Sequence, residues 1–387
     1  MTKLLLSAQG NFSMKSIELF AGAGGLGLGL EQCGFEPELV VEWDKWSCQT
    51  LRNNKTWNVK HGDVRDVSYD TYEGVDLVSG GPPCQPFSMG GKHRAVSDNR
   101  DMFPEAVRAV REVRPKAFIF ENVKGLTRKT FHDYFQYVKL QLEHPEVTGK
   151  TDEDWVDHLG RLEQHHLSTR RHGLNYRIVS RVLNSADYGV PQSRERVFLV
   201  GFRDDLEVDW RFPKPTHSKD ALAWSQFKSG AYWDSNGLKQ EHRGDPRLRS
   251  RADKLVEAPT ELPWRTVRDA ISGLGEPTPE GMKDDPDHKL QVGAKAYKGH
   301  TGSPLDLPSK TLKAGVHGVP GGENMLVRDD GSVRYYSIRE SARVQTFPDA
   351  HKFHGSWSET MRQLGNAVPV DLAKAVGRDV ARELYFA

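Results

Sequence analysis

Cys84 stands in Gly80-Gly81-Pro82-Pro83-Cys84-Gln85-Pro86-Phe87-Ser88, directly after an apolar run at 75–79 that reads as a strand. Prolines on both sides stiffen the backbone, so the thiol sits on a rigid loop at a strand's carboxyl end. A thiolate held there is a nucleophile. A second loop, Phe20-Ala21-Gly22-Ala23-Gly24-Gly25-Leu26-Gly27, contains G-x-G-x-x-G between an expected strand and an expected helix, and Glu42 follows twenty positions after Gly22. Glycines there let a cofactor approach the backbone, and the acid accepts hydrogen bonds from ribose hydroxyls. NAD, FAD and S-adenosylmethionine are all held by versions of this loop. The loop itself carries no Gly-Lys-Ser/Thr, which argues against a nucleoside triphosphate P-loop. Trp43 suits stacking on an adenine ring and equally suits a core position. Glu121 ends another apolar run and Arg194 and Arg196 open a further one, so a carboxyl and two guanidiniums belong near the same sheet edge as Cys84. Together these residues point to nucleophilic catalysis on a polar ring.

Positioning them requires a sheet whose strands all end at the cofactor side. Strands are expected at 16–19, 38–42, 75–79, 117–121, 176–182 and 196–202. Helices are expected at 25–32 and 44–53, the latter opening on an acidic cap. Another precedes residue 117, with Phe103, Ala106, Val107, Val110 and Val113 on one face. Such alternation implies an α/β fold with a parallel sheet covered by helices on both faces, binding ligands at the strands' carboxyl ends. Cys33 and Cys48 fall inside the expected helices and are read as buried packing. Residues 141–172 are polar and read as an insertion of helical character. Composition shifts to Pro, Gly, Trp, Lys and Arg over 205–332, a second, smaller and irregular domain. Val370, Ala373, Val376, Val380 and Leu384 then recur at helical spacing after Pro369, so residues 333–387 return to the first domain, which begins at residue 14 and runs to 204.

The chain has 387 residues, 37% hydrophobic and 28% charged, which supports a sizeable core and two domains at roughly 100–200 residues each. Lys plus Arg is 54 against 53 for Asp plus Glu, a net charge of +1, so any nucleic-acid face must be a local patch. No stretch approaches the roughly 18 apolar residues of a membrane helix, and no signal-peptide core follows Lys3. An intracellular, cytoplasmic protein is the expectation. Three cysteines form neither a disulfide framework nor a paired zinc motif, and no metal is expected.

In order along nearly the whole chain, the sequence carries loop 20–25, Glu42-Trp43, Gly62-Asp63, Pro83-Cys84-Gln85, Glu121-Asn122-Val123 and Gln192-Ser193-Arg194-Glu195-Arg196. Arg339-Glu340, Gln345-Thr346-Phe347-Pro348 and Gly365-Asn366-Ala367-Val368-Pro369 complete the set. In these motifs the chain resembles the bacterial-type DNA (cytosine-5) methyltransferases. The resemblance implies a Rossmann-like S-adenosylmethionine-dependent methyltransferase sheet, with 205–332 as target-recognition domain.

The same resemblance implies that Phe20, Gly22, Gly24, Gly25, Glu42, Trp43, Asp63, Pro83, Asn366, Ala367 and Val368 hold S-adenosylmethionine and its product S-adenosylhomocysteine. Carbon 5 of cytosine is too electron-poor to attack a methyl group, so Cys84 would first add to carbon 6. Glu121 would neutralise charge at N3. Of Arg194 and Arg196, one would hold the ring O2 and one would orient Glu121. The base must leave the duplex to be reached. Gln85, Ser88, Arg100 and Gln192 are the expected DNA contacts, with local positive charge from Lys92, His93 and Arg94. Further clusters at Arg243, Arg247, Arg249, Arg251 and Lys254, and at Lys295, Lys298, Lys310 and Lys313, suit phosphates. The expected partners are duplex DNA and a cognate restriction endonuclease or other defence proteins, around a monomeric enzyme. An RNA cytosine methyltransferase and a catalytically inactive DNA-binding relative are the alternatives.

Overall fold

The computed structural model describes residues 13–84, 101–168, 172–239, 244–282, 284–298, 301–314 and 324–387. Its amino-terminal part alternates as the sequence implies: β1 (Met14–Leu19), α1 (Gly25–Glu31), β2 (Phe35–Glu42), α2 (Lys45–Asn54), β3 (Val59–His61), β4 (Leu77–Gly80), α3 (Phe103–Val113) and β5 (Ala117–Val123). β4 is wholly buried and β5 nearly so, which is why they are continuous apolar runs without alternation. The acidic cap of α2 is real: the Asp44 side chain accepts from Ser47 N at 2.9 Å. The face of α3 formed by Phe103, Ala106, Val107, Val110 and Val113 lies in the main core with Ile17, Leu19 and Phe120.

Next come α4 (His132–Glu143), α5 (Trp155–Leu167), β6 (Tyr176–Asn184) and β7 (Glu195–Arg203). The polar insertion is thus a helical hairpin, with Asp154 capping α5. The sheet has seven strands in the order β3-β2-β1-β4-β5-β7-β6. It is mixed rather than parallel, because β7 runs antiparallel to both β5 and β6. Residues 185–194 are too few for the crossover of a dozen or more residues that a parallel pair needs, so β6 and β7 close as a hairpin.

The region after 204 is built of short pieces. These are β8 (His217–Ser218), α6 (Lys219–Phe227), α7 (Ala231–Ser235), α8 (Pro246–Ala252), β9 (Leu262–Pro263), α9 (Val267–Ile271), β10 (Ser303–Pro304), β11 (Met325–Val327) and β12 (Val333–Tyr335). Two small cores hold them, one around Leu222, Tyr232, Trp233 and Leu248, the other around Val267, Leu312, Leu326 and Tyr336. The chain then forms α10 (Ile338–Val344), α11 (Trp357–Asn366) and α12 (Val370–Phe386). α12 returns to the sheet, where Leu372, Ala373, Val376, Val380 and Leu384 pack with Leu26 and Leu30 of α1. A Cβ on Gly29 would lie 2.5 Å from the Ala373 Cβ, so the two helices meet through a glycine.

Cys48 is buried in α2, as expected. Cys33 lies beyond the end of α1, not inside a helix. Its thiol donates to the carbonyls of Gly29 (3.3 Å) and Lys374 (3.4 Å), which still makes it a packing residue. Among the described residues no helix is long and apolar enough to cross a membrane.

Candidate active site

β1 stops at Leu19 because the next residues leave extended geometry: Phe20 and Gly22 both have φ +55° and Gly24 has φ +85°. At Gly24 a Cβ would approach the Leu51 Cδ2 to 2.7 Å, and at Gly25 it would come within 2.2 Å of the Val368 carbonyl oxygen. These two glycines therefore let the loop close on α2 and on segment 366–369. They do not line the cleft that the loop borders, whereas Phe20 and Gly22 do. Glu42, at the end of β2, fastens the loop: its carboxylate accepts from Gly22 N (2.6 Å), Asp44 N (2.7 Å) and Trp43 N (3.0 Å). Burial raises its pKa, and these donors oppose the rise. Trp43 is 73% exposed on the cleft wall, which removes the core reading of that residue. Asp63 also lines the cleft, with its carboxylate held below the usual range by the Arg65 guanidinium at 2.6 Å.

The cleft has a volume of about 610 Å³, and its other wall carries the reactive groups. Cys84 leaves β4 through the proline loop, and its Sγ is 3.9 Å from the Tyr134 hydroxyl, which donates to Asp101 at 2.6 Å. Burial, with the Asp101 charge behind it, pushes the thiol up to about 12. Glu121 near the end of β5 is 7% exposed and its pKa is raised by burial, against the pull of Arg196 and Arg194. Arg196 Nε stands 3.0 Å from Glu121 Oε1. Arg194 is buried and spends its terminal nitrogens on the carbonyls of Leu312 (3.2 Å) and Gly365 (2.9 Å). Burial lowers its pKa to about 9, and its Nε has no hydrogen-bond partner among the described residues.

One cleft thus brings together Cys84, Glu121, Arg194, Arg196, Phe20, Gly22, Glu42, Trp43, Asp63, Pro83, Asn366, Ala367 and Val368. Gln85, Ser88, Arg100, Lys92, His93, Arg94 and Arg243 lie outside the described residues. Gln192 is a correction. It has no exposed surface: its amide donates to Gln345 Oε1 (2.7 Å) and accepts from Leu312 N (2.9 Å), which turns it into the protein instead of toward a DNA face. Of the basic clusters, Arg251 is ion-paired with Asp220 and Arg249 covers the Phe227 ring, while Arg247 caps nothing and stays exposed.

Two site residues lie outside the sequence reading. Asn122 donates to the Pro82 carbonyl at 2.8 Å and so locks the cysteine loop to the end of β5. It was visible only as the neighbour of Glu121. Glu18 lies under the glycine loop, accepting from Gly27 N at 3.0 Å, and burial pushes it up to about 8. Its Oε2 has no hydrogen-bond partner among the described residues, and the residue lines the cleft. An acid between Ile17 and Leu19 in a predicted strand is the one signal that marked it.

A family model described as C-5 cytosine-specific DNA methylase matches residues 14–146 and 161–382. The Type II methyltransferase M.PspPI of Psychrobacter sp. (strain TA137) is 33% identical over 381 residues, covering 96% of this chain and 80% of its own. The Type II methyltransferase M.NgoMIV of Neisseria gonorrhoeae is 31% identical over 371 residues, covering 95% and 97%. Among solved structures, the S. pombe Dnmt2 methyltransferase matches with a TM-score of 0.55 at 15% identity, over 96% of this chain and 98% of that one. At that identity the match speaks for the fold.

Proposed function

Because the chain belongs to the C-5 cytosine-specific DNA methylase family and methylates carbon 5 of cytosine in DNA, we propose that Cys84 is its nucleophile, Glu121 its acid and Arg196 the group that orients Glu121. The observation that carries this reading is that the Cys84 thiol, the Glu121–Arg196 ion pair and the glycine loop fastened by Glu42 share one cleft. Cys84 adds to carbon 6 of the flipped cytosine, which makes carbon 5 electron-rich. Burial shifts the Glu121 equilibrium toward the protonated form, against the pull of Arg196 and Arg194, which suits the carboxyl to share a proton with N3 as charge builds on the ring. The terminal nitrogens of Arg194 hold the backbone of 312 and 365, which fixes this guanidinium at the wall of the cleft where the ring oxygen would lie. Loss of the proton from methylated carbon 5 then lets the Cys84 thiolate leave.

The opposite wall fits S-adenosylmethionine. Glu18, Glu42 and Asp63 set carboxyls around it, one with an unpartnered buried oxygen, and Trp43 offers a bare ring. Carboxyls suit a ligand bearing sulfonium and ammonium charge. Phe20, Gly22, Asn366, Ala367 and Val368 would enclose it, and bound there it supplies the methyl group. We further assign target recognition to 205–332, and a modification role alongside a restriction endonuclease or other defence proteins to a monomeric cytoplasmic enzyme. Support for that role comes from the Type II methyltransferases among its relatives.

The test is covalent trapping. Fluorine on carbon 5 cannot leave as a proton, so duplex DNA with 5-fluorocytosine at the target should hold the protein through denaturation. Trapping should need S-adenosylmethionine, vanish in Cys84→Ala, slow in Glu121→Gln, and fail with transfer RNA. No shifted band with wild type, cofactor and a DNA known to carry the site rejects the thiolate mechanism.

A further inference from the structure

Away from the cleft, where the hairpin of α4 and α5 meets the start of β6, Glu143, His144 and His166 turn toward one another. The His144 Nε2 lies 3.1 Å from the His166 Nδ1, which is 3.3 Å from a Glu143 carboxylate oxygen. All three ligand atoms fall within 4.8 Å of each other. Bonds of about 2.0–2.1 Å from a tetrahedral zinc ion set neighbouring ligand atoms about 3.3 Å apart, so this spacing is already that of a coordination edge.

The ring of His144 is pre-oriented for the task. Asn175 Nδ2 donates to the Gly173 carbonyl (3.0 Å), which makes its Oδ1 an acceptor, and His144 Nδ1 lies 2.7 Å from that oxygen. The proton of a neutral His144 is therefore on Nδ1, and the lone pair on Nε2 faces the cluster. A carbonyl-anchored second nitrogen is the arrangement that fixes metal-binding imidazoles. His144 is 2% exposed and Glu143 is largely covered, whereas the His166 side chain is 40% exposed. His166, the more exposed of the two rings, can take the tautomer that presents Nδ1 to an ion.

We propose that Glu143, His144 and His166 bind one divalent first-row transition ion of the zinc type, water completing the tetrahedron. The ion would tie the carboxyl ends of α4 and α5 to β6.

The experiment uses the full chain without a polyhistidine tag, stripped with chelator and titrated with Zn²⁺ and Co²⁺. One equivalent of each should bind, Co²⁺ should give the strong visible bands of a four-coordinate ion, and Zn²⁺ should slow hydrogen exchange over 132–167. His166→Asn and Glu143→Gln should each weaken binding at least tenfold with circular dichroism unchanged. The exchange readout on wild type stands even if a variant misfolds. Absence of saturable binding, variants that bind like wild type, or unchanged exchange in the hairpin would each overturn the site.

Discussion

A thiol pushed up to about 12 is protonated in the free protein at neutral pH, so Cys84, the nucleophile proposed above, is guarded until the substrate changes its surroundings. Only a thiolate is alkylated. Iodoacetamide modification of Cys84, followed by mass spectrometry, should therefore keep accelerating from pH 7 to about 10 instead of levelling near the ordinary cysteine value of about 8.5. A plateau below pH 9 would refute the buried-thiol picture. Cys84→Ala should abolish turnover and leave S-adenosylmethionine affinity within about twofold, because the role proposed for the thiol is to attack the base and not to hold the cofactor; isothermal titration separates the two. Glu18 supplies a stability effect with a definite sign. Burial holds it at about 8 in the folded chain, against 4.5 for an ordinary glutamate. Between those values the native state keeps a proton that the unfolded chain has released, so its contribution is complete below about 4.5 and is lost as pH rises toward 8. Glu18→Gln stays neutral, and its melting temperature should gain on wild type between pH 6 and pH 8. A constant offset across that range would show Glu18 ionised when folded. Cys84, Glu42 and Glu121 were legible because their residue types stand at strand ends. Glu18 was not, since a carboxyl inside a strand has no chemistry until the fold shows what covers it.

At the level of elements, the site depends on how the carboxyl ends of β4 and β5 meet the amino end of β7. Asn122 bonds back to the Pro82 carbonyl while its own Oδ1 accepts from Val123 N at 2.8 Å, so one side chain sets the distance between the cysteine and glutamate loops. Asn122→Ala leaves a buried carbonyl unpaired, at a cost of about 1–3 kcal/mol. Its turnover should fall at least tenfold while cofactor affinity holds, as single-turnover kinetics and titration can resolve. Equal losses in both would mean that the whole cleft had collapsed. The parallel strands were readable from their alternation with helices. The reversal of β7 was not, because an apolar strand carries no mark of its direction; only the short link at 185–194 implies a hairpin. The same turn explains Gln192. Its motif named the residue, but which side of the hairpin faces inward is decided by Leu312 and Gln345, far away in sequence.

Across the whole molecule, the proposed recognition region is joined to the catalytic sheet at several places, among them Thr216 N to the Asp187 carbonyl (2.9 Å) and a strip of backbone beside the turn at 185–194. Ser309 N donates to the Pro191 carbonyl (2.9 Å), Ser193 N to the Ser309 carbonyl (2.8 Å), and Leu312 supplies both an N–H to Gln192 and a carbonyl to Arg194. The strip at 303–314 is therefore part of the active-site scaffold although composition groups it with 205–332. That distinction decides how specificity can be moved. Suppose base contacts come from the rest of the region. Exchanging 205–302 for the matching segment of a relative with another target, while keeping 303–314, should then shift the methylated sequence with turnover within about tenfold. Extending the exchange through 314 should lower activity on every DNA, because Arg194 loses the carbonyl that fixes it unless the incoming strip restores it. Bisulfite mapping of plasmid DNA methylated by each chimaera reads both effects. Methylation that stays at the original sequence in the first chimaera would place recognition outside 205–302. A second chimaera as active as the first would show that the strip is interchangeable and that Arg194 does not depend on it.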